Sequence, residues 1–159
     1  MIKLTPQMRQ VLRRQPVVLV ATTDGSGQLN VSPKIAFPAV SDSILVFADL
    51  CSTTTWTNLR VNPGAVVATV LPDTHEGYQF KGRAEMLREG PLFEDLLRVL
   101  AHCSEGPRPM ELPFEKAARE TLDARARAGR PGKLPAYVVV LHVDEIQNLT
   151  PGHETEVWR

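Results

Sequence analysis

Short apolar segments separated by turn residues are the feature of this sequence that most limits how the chain can fold. They run over residues 17–23, 28–37, 43–49, 65–71, 78–88 and 136–143. Neighbouring strands joined by such short connections pair antiparallel, because a parallel pair needs a crossover of about a dozen residues or more. Helical segments interrupt the strands without alternating regularly with them, which argues against a doubly wound parallel sheet. The pattern predicts a small antiparallel β-barrel of six strands with peripheral helices.

Helices are predicted at both ends of the barrel sequence and inside it. They cover residues 5–14, 52–61, 92–100 and 114–128. The first begins with Thr5 as a cap and Pro6 at the first helical position. The chain is expected to form one domain over residues 1–159, whose barrel takes residues 15–90 and 135–149 around a helical insertion at 91–130. Gly82 predicts a bulge or bend in the fifth strand. The polar segment that ends in Trp158 is expected to be a disordered tail.

The composition excludes several classes of function. Lysine plus arginine equals aspartate plus glutamate at 18 each, so the basic excess of a nucleic-acid-binding domain is absent. No apolar run has the length of a membrane span, and the N-terminal residues are too polar for a signal peptide. The two cysteines form no CxxC motif, and the four histidines have no metal-ligand spacing. A cytoplasmic protein with free thiols and no metal site is the simplest interpretation.

A run of hydroxyl residues, Ser52 to Thr55, stands where the second helix begins. Helix N-termini present unpaired N–H groups and the positive end of a dipole, so hydroxyls there can bind a phosphate. Lys34, on the strand that begins at Asn30, would add a positive charge if its side chain faces the same place. The alternative is an ordinary helix cap, for which serine and threonine are the usual residues. Lys34 has its own alternative, a solvent-facing strand lysine.

Four motifs together resemble the pyridoxamine 5'-phosphate oxidase-like split barrels that bind flavin mononucleotide (FMN). They are VVLVATTDGSGQLNVSPK, then ILVFAD, then S-x-x-T-x-x-NL-x-x-NP, then F-x-GRAE, and they cover residues 15–90. The resemblance implies a mainly β fold with helices: a six-stranded antiparallel split β-barrel of Greek-key type. It also implies a homodimer, with the flavin at the interface between the two copies.

The resemblance carries the cofactor site onto particular residues of this chain. The residues implied to bind FMN are Ser32, Pro33, Lys34, Ile35, Phe47, Ala48, Ser52, Thr53, Thr54, Thr55 and Asn58. The first four would line the ring and ribityl chain, Phe47 and Ala48 the phosphate-proximal side, and Ser52 to Thr55 the phosphate loop. Residues near Gln79 to Arg83 would reach the flavin from the partner subunit. The family usually has lysine or arginine where this chain has Thr53 and Thr54.

The function that follows is an FMN-dependent oxidoreductase whose substrate the sequence does not name. Alternatives are a non-enzymatic electron carrier or flavin-storage protein, or a split barrel with a deazaflavin, haem or no cofactor. The sequence predicts no particular residue as a catalytic acid or base. Trp56 is expected to pack on the barrel rather than on the cofactor, and Cys51 to be a small apolar filler rather than a reactive thiol. Trp158, if ordered, would cover the partner subunit's flavin.

Overall fold

Three helices and seven strands make up the part of the chain that the computed structural model describes, which is residues 2–15, 17–35, 38–49, 53–103 and 137–159. The helices are α1 (Pro6–Arg14), α2 (Thr53–Val61) and α3 (Pro91–Cys103). The strands are β1 (Val17–Thr23), β2 (Leu29–Ile35), β3 (Ile44–Asp49), β4 (Gly64–Val70), β5 (Gly77–Leu87), β6 (Tyr137–Asn148) and β7 (Val157–Trp158). No helix in these ranges is both long and apolar enough to cross a bilayer.

The strands form one antiparallel sheet in the order β2-β1-β4-β5-β6-β3, and β7 pairs with the far side of β6. The mainly β, antiparallel fold with helices is therefore confirmed. The count of six strands is wrong by one, since β7 is a seventh. Because β2 and β3 end the sheet order and are not hydrogen-bonded neighbours, the sheet is curled but not closed.

The core lies inside the curled sheet, and α1 covers one end of it. Along β1 the side chains of Val18 and Val20 point inward and are buried, as the period of a strand requires. On α1 the buried residues are Met8, Val11 and Leu12, one face of the helix. A second, smaller cluster packs α3 against the outside of β3 and β6. Leu96 and Leu100 of α3 are therefore part of the core, whereas Leu92 and Val99 of the same helix are exposed.

The register between β5 and β6 shifts between Lys81 and Gly82, which confirms the irregularity predicted at this glycine. A Cβ atom at Gly82 would lie 1.9 Å from the carbonyl oxygen of His142 in β6. That distance is far below any van der Waals contact, so the two backbones approach this closely only because the side chain is absent. The pairs Lys81–Glu145 and Gly82–Val143 leave Asp144 as an extra residue, so the bulge itself lies on β6.

The C-terminal segment corrects the expectation of a disordered tail. Val157 and Trp158 form β7, which pairs with Gln147 and Ile146 of β6. This pairing is possible because β6 continues to Asn148, well beyond the predicted end at residue 143. Trp158 packs against the core inside its own chain. The predicted helix over residues 114–128 lies outside the described residues.

Candidate functional site

A buried set of hydroxyls and amides joins α2 to β1 and β2, and we call it the hydroxyl–amide cluster. Its members are Thr22, Asn30, Ser32, Thr55 and Asn58. The Oγ1 of Thr55 lies 2.9 Å from the Oγ of Ser32 and accepts a bond of 3.4 Å from the Asn30 amide. The Asn58 amide donates to Thr22 Oγ1 at 3.1 Å. Three predicted cofactor residues, Ser32, Thr55 and Asn58, are thus brought together.

Sequence spacing explains the half of this cluster that α2 contributes. Thr55, Asn58 and Leu59 stand at positions i, i+3 and i+4, so they share the buried face of the helix. Thr55 is 0% exposed and Asn58 is 3% exposed, and buried polar groups need hydrogen-bond partners. The strands supply those partners through Thr22 and Asn30, which face each other in the β1–β2 register. These two residues carry no motif signal, and sequence reasoning missed them.

Lys34 forms a buried ion pair across the open side of the sheet. Its Nζ lies 3.1 Å from Oδ1 of Asp49, and Tyr137 donates a hydrogen bond of 2.9 Å to Oδ2 of the same carboxylate. Lys34 is 7% exposed and Asp49 is 1% exposed. The alternative of a solvent-facing lysine is therefore excluded, since Lys34 points into the curled sheet. Since Lys34 is on β2 and Asp49 on β3, the pair bridges the two end strands of the sheet.

The position of Tyr137 beside Asp49 has an electrostatic consequence. Burial is the main cause that raises the pKa of the Tyr137 phenol, and the negative charge of Asp49 raises it further. The positive charge of Arg88 acts in the opposite direction but does not outweigh them. Tyr137 therefore stays protonated and remains a hydrogen-bond donor to Asp49 well into the alkaline range. Sequence reasoning did not single out Asp49 or Tyr137.

Two arginines flank the indole ring of Trp56 on α2. The guanidinium carbon of Arg60 lies 4.6 Å from the ring centroid, and that of Arg88 lies 5.0 Å from it. Both side chains are exposed, and neither forms an ion pair with a carboxylate in the described part of the chain. Trp56 itself is partly buried and packs against the core, as predicted. The arrangement places two positive charges beside α2.

The remaining predicted site residues are dispersed. Phe47 is fully buried in the core, whereas Ala48 faces the cluster beneath α3. Pro33 is exposed on the outer face of the sheet, and Thr54 is exposed on the first turn of α2. Ser52, Cys51 and the side chains of Ile35 and Thr53 lie outside what the structure describes. The cofactor roles of these residues stay predictions.

Comparison with known proteins identifies the family. Residues 4–149 match the model of the pyridoxamine 5'-phosphate oxidase family. The chain belongs to this family. A search of curated protein sequences finds no match.

Solved structures reproduce the fold over nearly the whole chain. HupZ of Group A Streptococcus is 25% identical, with a TM-score of 0.65 over 96% of this chain and 99% of that one. An FMN-binding protein of Syntrophomonas wolfei is 15% identical, with a TM-score of 0.56 over 89% of this chain and 82% of that one. PhzG of Burkholderia lata, solved with tetrahydrophenazine-1-carboxylic acid, is 18% identical, with a TM-score of 0.57 over 89% and 74%. The last two likenesses support the fold alone.

Proposed function

We propose that the protein binds FMN and acts as an oxidoreductase. The flavin phosphate would lie at the start of α2, and the ring and ribityl chain would lie along β2. The observation that carries this proposal is the hydroxyl–amide cluster, in which Ser32 of β2 and Thr55 of the first turn of α2 are 2.9 Å apart. The two elements that the family resemblance assigns to one flavin are thus held side by side.

The charge of the phosphate must be balanced by groups other than Lys34. A phosphate in a partly dry site is held best by charge-assisted hydrogen bonds. The ammonium of Lys34 already has the Asp49 carboxylate at 3.1 Å, so the pair carries no net charge. Arg60 and Arg88, beside Trp56, have no such carboxylate partner among the described residues. Arg60 belongs to the last turn of α2, away from the start of the helix, so we infer that Arg88 supplies the positive charge together with the helix dipole.

The protein's own contribution would be binding and orientation. A bound flavin would supply the transfer of electrons or hydride. Hydroxyl and amide groups such as those of Ser32, Thr55 and Asn58 do not titrate near neutral pH, so they can hold a ligand but not exchange protons with it.

Flavin titration of the purified protein tests the binding site. We expect FMN to bind more tightly than riboflavin, which lacks the phosphate. Arg88→Gln should weaken FMN binding about tenfold, because one charge-assisted contact is lost, and should leave riboflavin binding unchanged. Arg98→Gln is the matched control, since Arg98 is an exposed arginine on α3. Thr54→Lys should tighten FMN binding alone, because it restores a cation where relatives carry one.

Several outcomes would contradict the proposal. If neither flavin binds, the FMN site does not exist in this chain. If Arg88→Gln weakens FMN and riboflavin equally, the arginine does not contact the phosphate. Reduction of the bound flavin by a reduced nicotinamide, followed by turnover with an acceptor, would support the oxidoreductase. A protein that binds flavin but never turns over would instead be an electron carrier or a storage protein.

We further propose that two copies associate through the outer face of β1 and β2. Leu19 is 50% exposed, Val31 is 59% exposed and Leu29 is 76% exposed, and all three lie on that face. In the antiparallel register, Pro33 stands opposite Leu19 and Ala21 opposite Val31, which makes the patch continuous. An exposed apolar patch of this kind is typical of a protein interface, and a self-complementary two-fold contact is the commonest arrangement.

Sedimentation equilibrium tests this assembly. The parent protein should be a dimer at micromolar concentration. Val31→Glu should shift it to a monomer, because a charge would be buried without a partner. Val99→Glu is the matched control: Val99 is also an exposed valine, but it lies on α3. A monomeric parent, or equal effects of the two substitutions, would refute the proposed interface.

A further inference from the structure

A cleft separate from the flavin site opens between the start of α1, the β4–β5 connection and the segment that follows β6. Its volume is about 580 Å³, within the range of sites for small molecules. The residues that define its chemistry are Glu76, Tyr78, His153, Glu156 and Trp158. None of them is among the residues predicted to bind FMN.

Carboxylates predominate among the charged residues that line this cleft. Glu76 and Glu156 both line it, and none of its lining residues in the described chain is a lysine or an arginine. The start of α1 opposes them with a partial charge of only about half a unit. His153 lies 2.8 Å from Glu156 and hydrogen-bonds to that carboxylate. Two carboxylates therefore outweigh the positive contributions, and a cation is the favoured occupant.

The aromatic residues of the cleft suit the same kind of ligand. Tyr78 and Trp158 have ring centroids 6.3 Å apart, tilted by 55°. Aromatic faces attract organic cations, and carboxylates nearby add to that attraction. Tyr78 as a whole residue is 4% exposed, and within the described residues its hydroxyl makes no hydrogen bond. This hydroxyl is not among the fully enclosed polar atoms that lack a partner, so it is open to the cleft and available to a ligand.

The pKa of Tyr78 is affected by the same two carboxylates. Burial raises the pKa of Tyr78, and the negative charges of Glu76 and Glu156 raise it further. Both carboxylates therefore act on the same point of the cleft. Glu76 is in addition oriented by Gln7 of α1, whose amide donates to one of its carboxylate oxygens.

We propose that this cleft binds a small organic cation, an alkylammonium group held by Glu76 and Glu156 against the rings of Tyr78 and Trp158. The site is distinct from the flavin site and does not depend on it. Binding would consist of ion pairing and cation–π contact, with no covalent step. The Tyr78 hydroxyl would accept or donate a hydrogen bond to any polar group that the cation carries.

Choline and its neutral isostere 3,3-dimethylbutan-1-ol are the probes for the test. They have the same shape, and only choline is charged. Isotope-labelled full-length protein is titrated with each probe, and the amide NMR signals of residues 74–78 and 153–158 report binding. We expect saturable shifts with choline, and binding of the isostere weaker by about tenfold or more, because the charge-assisted contacts are missing.

Three variants locate the effect. Glu76→Gln and Glu156→Gln should each weaken choline binding about tenfold. Glu85→Gln removes the same charge from an exposed position on β5 and should leave binding unchanged. Thermal unfolding checks that each variant is folded, and flavin titration of the same samples should be unaffected.

The proposal is overturned by any of three results. These are no saturable binding of choline at millimolar concentration, equal binding of the neutral isostere, and an equal loss in Glu85→Gln and the two cleft variants. The first two need only the parent protein, so they hold even if a variant fails to fold. A protein that binds FMN but not choline would refute this site and leave the flavin proposal intact.

Discussion

Replacement of Lys34 by methionine is the most direct test of how the open side of the sheet is held together. The ammonium of Lys34 lies 3.1 Å from Asp49, with side-chain exposures of 6% and 1%. Lys34→Met keeps the unbranched chain and removes the charge. Asp49 would keep its hydrogen bond from Tyr137 but would lose the cation that neutralises it. A buried carboxylate without its cation is strongly disfavoured in a medium of low dielectric constant.

The expected loss is large for a single substitution. Breaking a buried ion pair by removing one partner costs about 3–5 kcal/mol. The retained Tyr137 donor argues for the lower end, about 3 kcal/mol, which is a substantial part of the roughly 5–15 kcal/mol that stabilises a typical domain. With a urea dependence of about 2 kcal/mol per molar, the unfolding midpoint should fall by about 1.5 M.

Urea denaturation followed by circular dichroism measures this midpoint. Lys3→Met is the matched control, because Lys3 pairs with Asp42 at 3.8 Å and both side chains are more than half exposed. An exposed pair contributes about 0–1 kcal/mol, so the control should shift little. Adding Asp49→Asn to Lys34→Met should recover most of the loss, because no unbalanced charge remains. Equal midpoints for Lys34→Met and Lys3→Met would refute the reasoning.

Two further predictions concern β5 and β6. Gly82→Ala should destabilise the fold by about 2–3 kcal/mol, since its Cβ would meet the His142 carbonyl at 1.9 Å; an unchanged urea midpoint would contradict the close approach. Tyr137→Phe should flatten the alkaline loss of stability. The raised pKa of Tyr137 means that its stabilising contribution is complete below about pH 10 and is lost as the pH rises further. Above that pH the free energy of unfolding of the parent should therefore fall by up to about 1.4 kcal/mol more per pH unit than that of the variant. Parallel plots of unfolding free energy against pH for the two proteins would refute this.

The fold could be predicted from the sequence wherever a strand ends in a strong local signal. β1 occupies Val17–Thr23 as predicted, because a turn follows in which the Asp24 carboxylate accepts bonds from the N–H groups of Ser26 and Gln28. β6 shows the opposite case. Its apolar run ends at residue 143, but the strand continues through alternating polar residues to Asn148, because residues 145–148 pair with Tyr78–Lys81 of β5.

The candidate site could be predicted only in part, for a related reason. The hydroxyl residues at the start of α2 are consecutive in the sequence, and this run predicts either a helix cap or an anion site. Thr22 and Asn30 become partners of Thr55 and Asn58 only through the register of β1 and β2. Register depends on the whole sheet, and a shift of one residue would turn these side chains to the other face.

The buried ion pair also has a consequence for the flavin site that stability alone does not reveal. Replacement of such a pair by apolar residues of similar volume is often neutral or stabilising. The double variant Lys34→Met, Asp49→Leu should therefore fold about as stably as the parent, but it loses the ion pair that joins β2 to β3. Since Ser32 and Pro33 lie on β2, we expect FMN and riboflavin to bind more weakly by the same factor, because the strand that carries the ring contacts is less well fixed.

Flavin titration and urea denaturation of the same samples measure the two effects. A loss confined to FMN would show instead that Lys34 meets the phosphate directly, and unchanged affinity for both flavins would show that the ion pair does not position β2.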